Sequence, residues 1–339
     1  MISKINTYVI ALLLLSFSFA SEQRIAALGG NAGFWAEDDQ NLYMFPATMH
    51  NFNLAQIDGN NENAKAAFLF GEGTKYGFFM DQSSDQMLNV AFGSGSWGLL
   101  LGLDSDATEA GDVKTSSSDI SLGFGLNAGF GELGLSFLSS SSDDGSDSDH
   151  KPSSMDIGFN LRREQSIWQF SHMLVNFHYM SGEHGYYNEV EYEKMSSMNL
   201  NLDLYRHWAL TESTDLLFSL GFGYMSQTIE DESENKTEMS GIMFPKYTFA
   251  VETNLLDWAT IRAGLNQHHT LSNTTKVGDS ESTSMGDTDF NLQFGIGADY
   301  GGFNLDLNLN PGFFIDPVSF ITGFNDETIA TQFSITYTW

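Results

Sequence analysis

The 339-residue chain has no cysteine, which excludes a disulfide framework, thiolate metal sites and cysteine nucleophiles. Lys and Arg are also scarce, 14 against 44 Asp and Glu, for a net charge of −30. That balance excludes a nucleic-acid partner, because phosphate binding needs clustered cations. No stretch past the N-terminus reaches the roughly 18–20 apolar residues that a membrane-crossing helix requires. No Gly-rich loop follows a strand and opens a helix to cradle phosphates, so no cofactor is expected. Proline is rare at 5, whereas glycine, at 33, and aromatics, at 14%, are plentiful.

The N-terminus predicts export. Lys4 precedes the short apolar run Val9–Phe19, and Ser18 and Ala20 supply small residues for cleavage after Ala20. From about residue 50 apolar and polar side chains alternate with the period of a β-strand, as in Ser154–Arg162, Met198–Leu204, Phe290–Ile296 and Phe303–Leu309. Alternation alone also fits a soluble sandwich, and the connections separate the two. Short ones (71–74, 93–96, 129–132, 163–166, 210–213, 255–257, 300–302) alternate with mostly longer, polar ones (104–117, 139–153, 181–194, 228–239, 271–285, 311–328). This predicts an all-β, transmembrane, antiparallel up-and-down barrel with periplasmic turns and extracellular loops. The count runs from a first strand at 51–57 to a last at 330–339 and gives sixteen, or fourteen if one hairpin within 64–93 is something else.

In the last strand Phe333, Ile335, Tyr337 and Trp339 share a face, and the chain stops on the aromatic. This ending resembles the C-terminal insertion signal of bacterial outer-membrane barrels. The resemblance implies an outer-membrane location, contact with outer-membrane lipid and lipopolysaccharide, and insertion by the barrel-assembly machinery. Trp97, Trp168, Trp208, Trp258 and Trp339 all lie at short turns or at the chain end. That placement predicts a periplasmic aromatic girdle, since core tryptophans would not select one end of the strands.

Residues 21–48 read differently. Arg24, Leu28-Gly29-Gly30, the pair Asp38-Asp39 and Asn41 precede Phe45-Pro46-Ala47. The segment resembles the start of barrels similar to long-chain fatty-acid transporters and their secretion-associated relatives, although Phe45 stands where those proteins usually have Asn. The resemblance implies a plug folded into the barrel (residues 49–339), with Leu28, Phe34, Trp35, Leu42 and Phe45 offering contacts to a small hydrophobic ligand. The alternative is a periplasmic extension that merely tethers the first strand. Strand parity sends Asp203, Lys246, Glu252, Arg262 and Asp306 to a polar lumen wall, while Arg206 falls on the lipid face beside Trp208 and is expected to snorkel.

Other candidate chemistry reads as structural. The acidic runs 143–149 and 230–234 lack the spacing of a calcium loop and fit solvated loops. His268 and His269 point to opposite faces, and His172 and His178 share a face about 20 Å apart along the strand, so no metal is expected. Ser171 and His172 are adjacent and face apart, so no catalytic constellation is expected and the chain does not read as an enzyme. The function implied is passage or uptake of small hydrophobic or amphiphilic molecules. The alternative is a structural or binding barrel that serves surface attachment or protein secretion without transport.

Overall fold

The computed structural model describes residues 21–60, 64–81, 88–110, 113–143, 152–185, 192–231, 233, 235–278, 280–316 and 330–339. The signal peptide expected at 1–20 and most of the acidic run 143–149 lie outside them. The first strands are short: β1 Leu54–Asn60, β2 Ala64–Phe70, β3 Thr74–Asp81 and β4 Leu88–Ser94. The middle ones are long: β5 Trp97–Ala110, β6 Val113–Ala128, β7 Gly131–Asp143, β8 Ser153–Ile167, β9 Phe170–Gly185, β10 Tyr192–Thr211, β11 Thr214–Glu230, β12 Lys236–Leu256 and β13 Ala259–Val277. The wall ends with β14 Ser280–Ser284, β15 Asp287–Tyr300, β16 Phe303–Leu309 and β17 Ala330–Thr338.

Each strand pairs antiparallel with the next, except that β13 pairs with both β14 and β15, and β17 pairs with β1 from Leu54↔Thr338 to Asn60↔Gln332, so the sheet is a closed ring. β14 and β15 both pair with β13 and form one wall strand interrupted at Met285-Gly286. The barrel therefore has sixteen strands. Gly286, with φ of 85°, turns its N–H onto the Thr270 carbonyl at 2.9 Å and re-aims the strand without breaking the ring.

Its polarity is the reverse of a soluble protein's. On β16 and β17 the polar Asn304, Asp306, Ser334 and Thr336 are buried, whereas Phe303, Leu305, Phe333 and Ile335 are exposed. Phe78, Leu122, Ile157, Phe249 and Ile261 continue the exposed apolar face around the ring. Such a face is stable only against lipid. On β10 it runs from Trp208 up to Met198, about 33 Å along the strand, or about 25 Å once tilted into the membrane.

Several boundaries differ from the sequence expectation. The stretches expected as loops at 104–117, 181–194 and 271–285 are largely strand, because β5–β6, β9–β10 and β13–β14 carry their pairing on beyond the lipid-facing band. The first strand begins at Leu54 rather than 51, because Pro46 starts a 3-10 helix that runs to Asn51. The turn expected at 163–166 lies instead at Trp168-Gln169, with Trp168 at φ of 53°. The polar run Arg163–Ser166 remains in β8, because strand ends at the interface tolerate polar side chains.

Candidate functional site: a lumenal segment between two cavities

Residues 21–52 touch wall strands on every side of the ring. Ser21 caps helix α1 (Glu22–Ala27), with Arg24 N–H donating to its Oγ at 3.1 Å. A 3-10 turn at Ala32–Phe34, the short helix α2 (Asn41–Met44) and the 3-10 helix Pro46–Asn51 follow. α1 packs on β13, β15, β16 and β17, and the last 3-10 helix packs on β3 to β7. The wall residues it meets, among them Gly98, Gly134 and Gly264, belong to the inward parity.

Its backbone lies directly on wall glycines. A Cβ at Gly98 would collide with the Pro46 carbonyl, at Gly134 with the Met44 carbonyl, and at Gly264 with the Gly29 amide. Between these points the wall carries apolar side chains where parity calls for polar ones. Leu174, Tyr205, Leu217 and Ala250 pack against Ile25, Leu28, Phe34, Trp35 and Phe45. Leu69 and Ala91, with Leu100 beside them, pack against Leu42, Met49 and Phe52. Parity alone hides these docking residues, yet all but Tyr205, which Arg206 follows, sit in a run of three apolar residues: Phe68-Leu69-Phe70, Val90-Ala91-Phe92, Leu99–Leu101, Met173-Leu174-Val175, Leu216–Phe218 and Phe249–Val251. Such runs mark where both faces of a barrel strand meet apolar surroundings.

Polar contacts complete the docking. Arg24 donates from Nε and Nη2 to both oxygens of Glu252 at 2.8 Å and from Nη1 to Asp38 at 2.6 Å. Arg262 donates to Glu252 and to Asp306, each at 2.5 Å, and Ser21 Oγ donates to Asp306 at 2.7 Å. Three of the expected lumen residues, Glu252, Arg262 and Asp306, thus form one buried network with Arg24. The other two, Asp203 and Lys246, form a separate pair at 4.0 Å. On the opposite wall Arg162 donates to Asn41 Oδ1 at 2.9 Å and to the Gly33 carbonyl at 3.1 Å, while stacking over Phe45. Asn41 also donates from Nδ2 to the carbonyls of Trp35 and Asp38, folding the loop that presents the acidic pair.

Burial pushes the Asp38 carboxyl up to about 7, against the opposing pull of Arg24. Burial, with the charges of Asp38, Asp58 and Asp306, pushes Asp39 well above the ordinary carboxylate range. Among the described residues Asp39 meets no cation directly and accepts long contacts from Gln56 at 3.4 Å and Gln40 at 3.5 Å.

The segment leaves two cavities. One, about 780 Å³, faces the short turns and is lined by Phe34, Trp35, His172, Tyr205 and His207. Glu37, Glu212 and Asp215 stand at its mouth. The other, about 560 Å³, faces the long loops and is lined by Tyr43, Met44, Phe79 and Leu100 with Glu22, Asp58, Lys65 and Asp81. Of the five apolar candidates, Phe34 and Trp35 line the first cavity, whereas Leu28, Leu42 and Phe45 line neither. The five expected girdle tryptophans all sit at the short-turn end. Trp97 packs on Phe92, Trp168 on Phe170 and Trp339 on Phe68; Trp258 is exposed in its turn, and Trp208 lies under Arg206 at 5.4 Å.

Ser171 and His172 depart from the expectation that they face apart: Ser171 Oγ and His172 Nδ1 lie 2.8 Å apart. Rotation about χ1 lets a small hydroxyl reach around the strand edge. His178 pairs with Asp156 at 2.6 Å, and among the described residues no group of His, Asp or Glu is arranged to hold a metal. The acidic stretch at 230–234 has a structural use, since Asp231 accepts from the Ser233 and Asn235 amides and closes the β11–β12 hairpin.

No family model matches the sequence, and no curated protein matches it. Solved structures with similar shape are outer-membrane barrels. An anion-selective porin from Comamonas acidovorans has a TM-score of 0.34 and 9% identity, over 72% of this chain and 96% of that one. OmpT, an outer-membrane protein of Vibrio cholerae, has 0.29 and 11%, over 85% and 97%. The siderophore receptor PirA of Acinetobacter baumannii has 0.30 and 8%, over 75% and 61%. The ring of strands and the lipid-facing apolar belt make this chain an outer-membrane β-barrel.

Proposed function

We propose that the barrel passes small amphiphilic molecules across the outer membrane, with residues 21–52 as the plug that controls the path. The observation that carries this reading is a lumen obstructed but not filled. Cavities of about 780 and 560 Å³ lie on the two sides of one docked segment. Ligand sites of this size pair apolar lining with a few polar groups, and each buried CH₂ contributes about 0.8 kcal/mol. A barrel built only as a scaffold has no need for cavities on both sides of a removable element.

Deletion of residues 25–45 tests the reading. The variant is expected to keep a heat-modifiable barrel, raise single-channel conductance in planar bilayers several-fold, and lose saturable binding of an alkyl glycoside. Unchanged conductance, together with no glycoside binding by the intact chain, moves the assignment to a sealed barrel for surface attachment or secretion.

A further inference from the structure

The cations that face the two cavities are already engaged. In the cavity toward the short turns the one cation is Arg24, and its three guanidinium nitrogens each donate to a carboxylate oxygen of Glu252 or Asp38. Glu37, Glu212 and Asp215 line the same cavity, exposed at its mouth, and no ion pair engages them among the described residues. In the cavity toward the long loops, Lys65 lies between Glu22 at 3.1 Å and Asp81 at 3.8 Å, and Asp58 adds a further acid. Both compartments therefore carry surplus negative charge.

The walls add a second feature. His172 stacks on Tyr205 with ring centroids 5.1 Å apart, Phe34 tilts against Tyr205 at 5.1 Å, and Trp35 meets His207 edge-on at 4.8 Å. His207 Nε2 donates to the Phe34 carbonyl at 2.7 Å, which holds this aromatic wall in place. Trp35 already holds the Arg24 guanidinium 5.1 Å over its ring, and Tyr205 is enclosed between Phe34 and His172, so this wall offers a ligand an apolar surface and the acids at the mouth supply the attraction for its charge.

We infer that the molecules admitted are organic cations rather than carboxylate anions, and that the short-turn cavity is a binding site for a cation with an apolar body. This rests on the passage reading for transport but not for binding. The apolar body lies against Phe34, Tyr205 and His172, and the positive end faces Glu37, Glu212 and Asp215. A carboxylate in the same place meets three like charges and finds the Arg24 donors occupied. Fixed charge of one sign in a low-dielectric passage concentrates the opposite ion and repels its own kind.

Benzyltrimethylammonium and benzoate present the same ring with opposite charge. With the purified full chain, binding of each is measured by calorimetry in detergent, and uptake of each is measured in proteoliposomes. Benzyltrimethylammonium is expected to bind saturably and to enter roughly tenfold faster than benzoate. The triple variant Glu37→Gln, Glu212→Gln, Asp215→Asn alters only exposed mouth side chains; it should weaken cation binding and lower the uptake ratio several-fold, the rest of the selectivity staying with Glu22, Asp58 and Asp81 in the other cavity. Equal binding and uptake of both probes by the parent chain, or a triple variant that behaves like the parent, overturns the inference while leaving passage intact. Saturable cation binding without uptake of either probe supports the site and removes the passage reading. No binding of the cation overturns the site whatever the uptake.

Discussion

Arg262 shows how closely single side chains bind the segment to the wall. It is 1% exposed and donates to Glu252 and Asp306, carboxylates that also hold Arg24 and Ser21. A buried charge is tolerated only where it is paired, and removing one partner leaves the others uncompensated at a cost of roughly 3–5 kcal/mol. Arg262→Ala is therefore expected to lower the temperature at which the folded band converts in semi-native electrophoresis and to expose Arg24 to trypsin. A variant with parental heat-modifiability and trypsin resistance would show that the network is dispensable. The inward position of Arg262 was legible from parity. Arg24, which shares Glu252 with it, was not legible there, because the Arg24–Glu252 contact spans 228 positions and leaves no local signal. Arg206 was legible for the opposite reason, since the ring it stacks over, Trp208, lies two residues away; its hydrogen bond to the Gln169 carbonyl at 3.2 Å, across the neighbouring strand, was not.

At the scale of elements, the docked segment has a built-in pH dependence. Asp38 and Asp39 are both raised in the docked state, the first to about 7 and the second well above the ordinary carboxylate range. Docking therefore takes up protons relative to the free segment, whose carboxyls titrate near about 4. The contribution of this pair is complete below that range and is lost as pH rises through about 7. Tryptic cleavage after Arg24 and open-channel probability should both increase between pH 5 and pH 8.5, and Asp39→Asn should flatten the trend. A segment that loosens on acidification instead would contradict the assignment of these shifts. The segment's distinct character was visible in sequence, because its polar and apolar residues lack the period of two. Its path was not, since that depends on glycines and apolar triplets contributed by strands from β2 to β15.

The whole molecule is a barrel with an uneven wall. β1 to β4 have 7, 7, 8 and 7 residues, while β10, β12 and β13 have 20, 21 and 19. The tall side rises past the lipid-facing band, where Ser181, Ser196 and Thr228 replace the apolar residues and Glu183, Lys194, Glu230 and Lys236 stand above them. Orientation follows from the short turns and their tryptophans. A cysteine introduced at Ser282, on the exposed β14, should react with an impermeant maleimide on intact cells, whereas one at Ser213, in a two-residue turn, should react only after lysis. The reverse pattern would invert the barrel.

Period-two alternation, the ladder of short and long connections and the closing aromatic strand are written in neighbouring residues, so the sequence alone determined the wall, its strand count to within one hairpin, and which side chains face lipid. A strand exposes its two faces whatever its partners are, which makes that reading independent of assembly. The tertiary structure decided where β1 starts, the break at Met285-Gly286, the Ser171–His172 contact, the Arg24–Glu252–Arg262–Asp306 network and the acid-lined cavities. The network and the cavities depend on closing the ring, which brings together groups more than two hundred residues apart, and the start of β1 depends on the packing of the 3-10 helix before it. No local pattern records which opposite wall a side chain will meet until the barrel is closed.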